Sequence, residues 1–318
     1  MPKLGCSTTI LVWSCIILLV LFIIGLAIGP IGASILGTEA PSFLRLTSPH
    51  VELPSEEVSN IAGFPITNTL IASWFTIIIL VGIFYACTRK MKLIPGRLQN
   101  LAEMVVEGLL NFVEEAAGKE RGRILFPAVA TIFIYVITNA YLSLLPFFGT
   151  VGITGHEGHL IPLFRGANTD INVPLSIAVM SFVFIEYWGM RSIGAFRYIG
   201  EFITVGQIGQ GFKQFFKGKI RPAITDIGLG FINLFVGMLE IFSHFIRIIS
   251  FTFRLFGNMT AGEILLLCVC FLVPLIATIP FYGLELLIGF IQALIFAGLT
   301  LAFGMVAITP AHEEPEQT

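Results

Sequence analysis

Ser250-Phe251-Thr252-Phe253-Arg254-Leu255-Phe256-Gly257-Asn258-Met259-Thr260-Ala261-Gly262-Glu263 lies inside an apolar stretch that runs from about Ile224 to Ile279. An arginine carried to the middle of a bilayer costs about 2.5–3.5 kcal/mol on insertion scales, so an intramembrane charge is a functional-site hypothesis by default. Arg254 has no route to water along this stretch. Whether the stretch belongs to a membrane or to a soluble core is decided by the sequence around it.

That sequence is apolar throughout. Of 318 residues, 56% are hydrophobic and 12% charged, where a soluble domain carries about 25% charge. Thirty Phe fit a chain solvated mostly by lipid. The net charge of -2 and the lack of a polybasic arm argue against nucleic-acid binding. Five cysteines lie in or beside apolar runs, which suits packing and not a disulfide framework or a metal site. No Gly-rich phosphate loop is present, so nucleotide chemistry is not expected here. The expected class is an all-α polytopic membrane protein with about five to six membrane helices.

Spanning helices need roughly 20 apolar residues. The first candidate is Ile10–Gly29, read as a retained anchor over a signal peptide because it exceeds an h-region in length. Residues 37–64 read as an exposed loop. The second span runs from about Asn68 to Cys87, the third from about Ile124 to Phe148, and the fourth from about Ile171 to Met190. Between the second and third, residues 97–118 place Leu98, Leu101, Val105, Leu109, Phe112 and Val113 near one helical face. Glu103, Glu107, Glu114 and Glu115 populate the rest, which predicts an amphipathic helix lying on the membrane surface. Two long stretches, Ile224–Ile279 and Tyr282–Ile308, close the chain. The boundaries expected are 1–67 for an anchor and outer loop and 68–318 for an ion-translocating domain.

The basic residues give an orientation. With Lys3 in the cytoplasm, 14 of the 18 Lys and Arg fall on that side, and only Arg45 and Arg165 fall outside. Arg247 and Arg254 belong to neither side.

The last two stretches carry Glu240, Arg247, Arg254, Glu263 and Glu285, with Ser250, Asn258 and Gln292 among their polar residues. At about 100° per residue, Glu240, Arg247 and Arg254 stay near one face, whereas Glu263 turns to the opposite side of a continuous helix. Glu285 and Gln292 again share a face. A carboxyl group in a wet cleft can bind and release a proton. Arginine, with a pKa above about 12, cannot, and acts as barrier and counter-ion. Carboxylates leading to a fixed Arg suggest two aqueous routes that the Arg keeps apart. The plainer alternatives are a Glu240–Arg247 ion pair, an Arg247 snorkelling to the interface, and hydroxyl partners for Glu263 and Glu285. His156 and His159 read as exposed loop residues, since a His-x-x-His metal site needs further ligands. Glu186 and His244 read as interfacial or core polar residues. No cofactor or metal is expected.

The segment from Ser250 to Glu263 resembles the signature of subunit a of F-type ATP synthases, Arg-Leu-Phe-Gly-Asn-Met followed by Ala-Gly-Glu. Gln292-Ala293-Leu294-Ile295-Phe296 is similar to that family's Gln-Ala-x-Ile-Phe stretch on the last helix. Asn168 to Ser176 is similar to its Asp-x-Asn-Val-x-Leu-Ser entry to the fourth span, and Gln99-Asn100-Leu101-Ala102-Glu103 also fits. The resemblance covers about Pro65 to Ile308.

It implies a stator subunit, without a nucleotide site of its own, bordering a rotating ring of c subunits and held by peripheral stalk b-type subunits. The ions are protons, with sodium as the alternative, and the setting is a bacterial-type inner membrane or an equivalent energy-coupling membrane. Arg254 would face the ring carboxylate and block a short circuit between two half-channels. Glu263, Glu285 and Gln292 would line or support the outer half-channel. Asn258 and Ser250 would lie beside the Arg, with Glu240 and Arg247 near the cytoplasmic path. Two long, tilted final helices facing the ring are also implied. Two Glu stand at 263 and 285, where some members pair a Glu with a His. The basic segment at 206–219 exceeds the shortest members and reads as a stalk contact or a solvated loop. A stand-alone secondary transporter is the competing class, but such folds often carry internal repeats, and none is visible here.

Overall fold

The computed structural model describes residues 8–36, 54–61, 63–154, 160–194 and 220–308. The leader, the loop containing His156 and His159, the basic segment at 206–219 and the acidic tail lie outside the described residues.

The elements run α1 (Thr8–Ile28), α2 (Pro30–Leu36), β1 (Glu57–Ile61), β2 (Phe64–Thr67), α3 (Asn68–Thr88), α4 (Arg97–Ala117) and α5 (Lys119–Ser143). There follow β3 (Gly152–Thr154), β4 (Leu160–Pro162), α6 (Asn172–Ile193), α7 (Ile220–Leu272) and α8 (Thr278–Ile308). Five helices are long and apolar enough to cross a membrane, in α3, α5, α6, α7 and α8, and Val12–Ile28 is a shorter apolar helix. The chain is an all-α polytopic membrane protein, with β-structure only as two small hairpins among the described residues.

The amphipathic segment folds as a helix where its periodicity places it. Gln99, Leu109 and Val113 are buried on α4, while Leu98 and Leu101 stay open, as suits a helix with one side in lipid. Gly118 ends it at φ 76°, and its N–H bonds to the Glu114 carbonyl. That turn brings Arg123 of α5 back to Glu114 at 3.0 Å. Because Gly118 caps α4, the polar residues from Lys119 become the first turn of α5. The third span therefore starts and ends earlier than Ile124–Phe148.

Part of the expected 37–64 loop is paired. β1 and β2 form an antiparallel hairpin in which Ser59 faces Ile66 and Ile61 faces Phe64, and Gly63 at φ 86° donates its N–H to Asn60 Oδ1. Pro65 is compatible because an edge strand can spare a donor.

The Ile224–Ile279 stretch is broken late and only once. α7 is one 53-residue helix, about 80 Å long at 1.5 Å per residue, against a hydrocarbon core of about 30 Å. Such a helix fits a bilayer only by inclining steeply or by projecting beyond it. It ends at Leu272 because Pro274 offers no N–H and disfavours helical geometry in the residue before it. Leu275 then takes φ 73°, a left-handed conformation that is strained for a branched side chain. This corner lies against α1 at Gly25 and Gly29, where any Cβ would collide with the carbonyl oxygens of Pro274 and Leu272.

Two compact units can be distinguished: Met1–Trp74 with Ile137–Asp170 and Phe256–Gln292, and Phe75–Val136 with Ile171–Leu255 and Ala293–Thr318. In the second, Phe251 of α7 packs on Phe296 of α8 at 4.8 Å between ring centres, and Ser181 of α6 bonds to Thr300 of α8 at 2.9 Å.

Candidate functional site

In the first unit, polar side chains converge on a cavity of about 330 Å³ lined by Asn139, Ser143, Arg165, Asn168, Glu263 and Glu285, among others. Glu263 and Glu285 come from α7 and α8, and Arg165 from the segment between β4 and α6. Arg165 Nε lies 3.2 Å from each Glu263 oxygen, and its Nη2 lies 3.2 Å from Oε2. Its remaining nitrogen, Nη1, donates to the Pro54 carbonyl at 3.1 Å. The Arg165 side chain is 9% exposed and that of Glu263 32%. A rigid planar fork suits this two-oxygen grip and fixes the carboxylate in orientation. Glu263 is thus satisfied by a guanidinium and not by the neighbouring hydroxyl considered from sequence.

Glu285 is buried, and its carboxylate lies against the Cα of Gly262, occupying the volume that a Cβ there would fill. Gly262 is needed for this close approach of α8 to α7. Asn258 donates its amide to Gln292 Oε1 at 2.7 Å, so those two predicted residues meet directly. Elsewhere in the same unit, Asp170 Oδ2 accepts from the hydroxyls of Ser55 and Thr69, both at 2.9 Å.

In the second unit, Arg254 is half-buried on α7. Its Nη2 has a long contact of 3.5 Å to Ser250 Oγ, and its guanidinium lies 5.9 Å from the Phe251 ring centre. Among the described residues no carboxylate lies within ion-pairing distance of it. The Arg247 guanidinium sits 3.6 Å from the centre of the Phe303 ring, and Glu240 is exposed on the same helix. His244 Nδ1 meets Glu186 Oε1 at 2.8 Å, joining α7 to α6.

Sequence reasoning missed the part played by Arg165. Its signal was present, since Arg165 is one of only two basic residues assigned to the outside, but its partner lies 98 positions away. Asp170 was visible only as part of a motif. Glu186 and His244 were visible separately but not as a pair. Among the described residues no cluster of three metal-ligating side chains occurs.

Comparison with known proteins converges on one family. The family described as ATP synthase A chain matches residues 70–304. A protein from Solidesulfovibrio magneticus named ATP synthase subunit a is 29% identical over 250 residues, covering 78% of this chain and 87% of that protein. The protein of that name from Campylobacter jejuni subsp. doylei is 31% identical over 238 residues, covering 74% and 88%. ATP synthase subunit a 3 of Pelobacter propionicus is 30% identical over 240 residues, covering 76% and 87%. With most of its length matched, and with the Arg254–Glu263 segment inside the matched region, the chain belongs to the ATP synthase A chain family.

Proposed function

We propose that this subunit carries the two ion half-channels of a rotary ATP synthase, beside a ring of c subunits in a bacterial-type energy-coupling membrane, and that Arg254 separates them. The observation that carries the reading is a permanently charged guanidinium on an apolar helix with no carboxylate in reach among the described residues. A fixed cation in that setting is costly without a counter-charge. A ring carboxylate brought past it supplies that charge transiently and is held ionised while it faces Arg254. Arginine does not give up its proton at working pH, so it bars ions from passing directly between the two routes.

The outer route uses the cavity of the first unit. A proton enters past Glu285 and Glu263 and neutralises a ring carboxylate, with Asn258 and Gln292 holding the wall. Arg165 joins these residues as a positioning group that holds the Glu263 carboxylate in a fixed orientation. The ring turns through lipid, and the proton leaves near Glu240 and Arg247 on the cytoplasmic side. Steep inclination of α7 and α8 lets both follow the ring. Peripheral stalk subunits of the b type hold the stator still, and the protein from about residue 68 onward forms the ion-translocating part, preceded by an anchor.

Arg254→Lys tests the reading. An ammonium retains the charge but lacks the planar fork. ATP-driven acidification of inverted vesicles is expected to be lost in complexes that still contain the ring. Acidification at the wild-type rate would overturn the gate assignment.

A further inference from the structure

We propose that Glu186 and His244 form a proton-holding dyad on the path that serves the Arg254 face of α7; this rests on the half-channel reading above. His244 Nδ1 lies 2.8 Å from Glu186 Oε1, and the two side chains are 16% and 17% exposed. Both stand on helices apolar enough to span a membrane. Phe182 covers the imidazole edge-on, with ring centres 5.8 Å apart.

Two observations favour a part in ion transfer over a purely structural tie. On α7, positions 240, 244, 247, 251 and 254 fall within an arc of about 80°, so His244 stands in one stripe with Glu240, Arg247 and Arg254. In the same unit, Ser181 and Thr300 bridge α6 to α8 with two neutral hydroxyls at 2.9 Å. Tying helices together therefore does not require titratable groups. Histidine is the side chain whose ordinary pKa lies nearest neutrality, and the imidazole of His244 stands within ion-pairing distance of the Glu186 carboxylate, which offers an imidazolium its counter-charge.

The step balances without a co-reactant. An O–H bond of the ring carboxylic acid breaks and its proton is handed on. It forms an N–H bond at the unprotonated imidazole nitrogen, giving an imidazolium beside the Glu186 carboxylate. Loss of that proton to cytoplasmic water restores the starting state. The charged or titratable groups bearing on the dyad are Tyr187 and Arg191 on α6, and Glu240 and Arg247 on α7. The portion of α8 in this unit, 293–308, carries none, and that of α5 carries Tyr135 beyond its charged first turn.

The test uses whole complexes in inverted vesicles, stripped of the catalytic sector, with passive proton conduction read from about pH 5.5 to 8. His244→Gln keeps an amide able to donate to Glu186 but cannot titrate. It is expected to lower conduction by about tenfold or more and to remove a pH-dependent step that the wild type shows. Glu186→Gln should move the pH at which that step occurs, which a purely packing role would not. Wild-type rate and pH profile in His244→Gln would overturn the dyad. Where His244→Gln reduces assembly, the exchanged pair Glu186→His with His244→Glu is read instead. Recovery of conduction supports the dyad, and failure to recover in an assembled complex overturns it. Arg254→Ala, pumped with ATP in parallel before stripping, isolates the parent reading. Wild-type pumping there defeats the half-channel assignment, whereas lost pumping with an unaffected His244→Gln defeats the dyad alone.

Discussion

Arg165 and Glu263 make a bidentate contact at 3.2 Å with the guanidinium buried and the carboxylate part-exposed, and the cost of such a pair falls on whichever partner is left alone. Arg165→Ala is expected to slow ATP-driven pumping by more than Glu263→Gln does. The double variant should be no worse than Arg165→Ala alone. A double-mutant cycle that shows simple additivity would mean that the two act separately. Gly262→Ala carries a second prediction. Its Cβ would enter the volume of the Glu285 carboxylate, so pumping should fall about as far as in Glu285→Gln; unchanged pumping would show that Glu285 has room to move. How far these residues could be read from sequence follows from their setting. Arg254, Glu263 and Glu285 announce themselves because each is a charge in an apolar run. Arg165 lies in a polar loop, where a charge is ordinary, and only the fold brings it to Glu263.

At the scale of elements, periodicity was enough for α4, because its glutamates and leucines separate cleanly at helical spacing. α7 was legible as apolar but not as a single helix, since its length exceeds any single upright span. The β1–β2 hairpin was hidden by Pro54 and Pro65, which read as loop punctuation, and by strands too short to show alternation. The contact of α1 with the 272–275 corner depends on Gly25 and Gly29, whose value appears only when another backbone approaches them. Gly29→Val should separate α1 from that corner. The expected readout is a lower thermal midpoint of the detergent-solubilised subunit, and an unchanged midpoint would show that α1 contributes no stability to the corner.

At the scale of the whole molecule, the assignment of 14 of 18 basic residues to one side predicts a cytoplasmic face for the 89–97 segment. A cysteine introduced at Lys90 should react with a membrane-impermeant maleimide from the cytoplasmic face only; labelling from the outer face would invert the topology. The family relationship and the five apolar helices describe a subunit that works in a membrane-embedded complex. The central claim about that subunit is that Arg254 keeps two ion routes apart. The most direct measurement is ATP-driven proton pumping by Arg254→Ala beside wild type, in vesicles where ring and subunit are shown to co-purify. The account predicts complete loss of pumping with the complex intact. Pumping at the wild-type rate would make Arg254 a structural charge and contradict the mechanism.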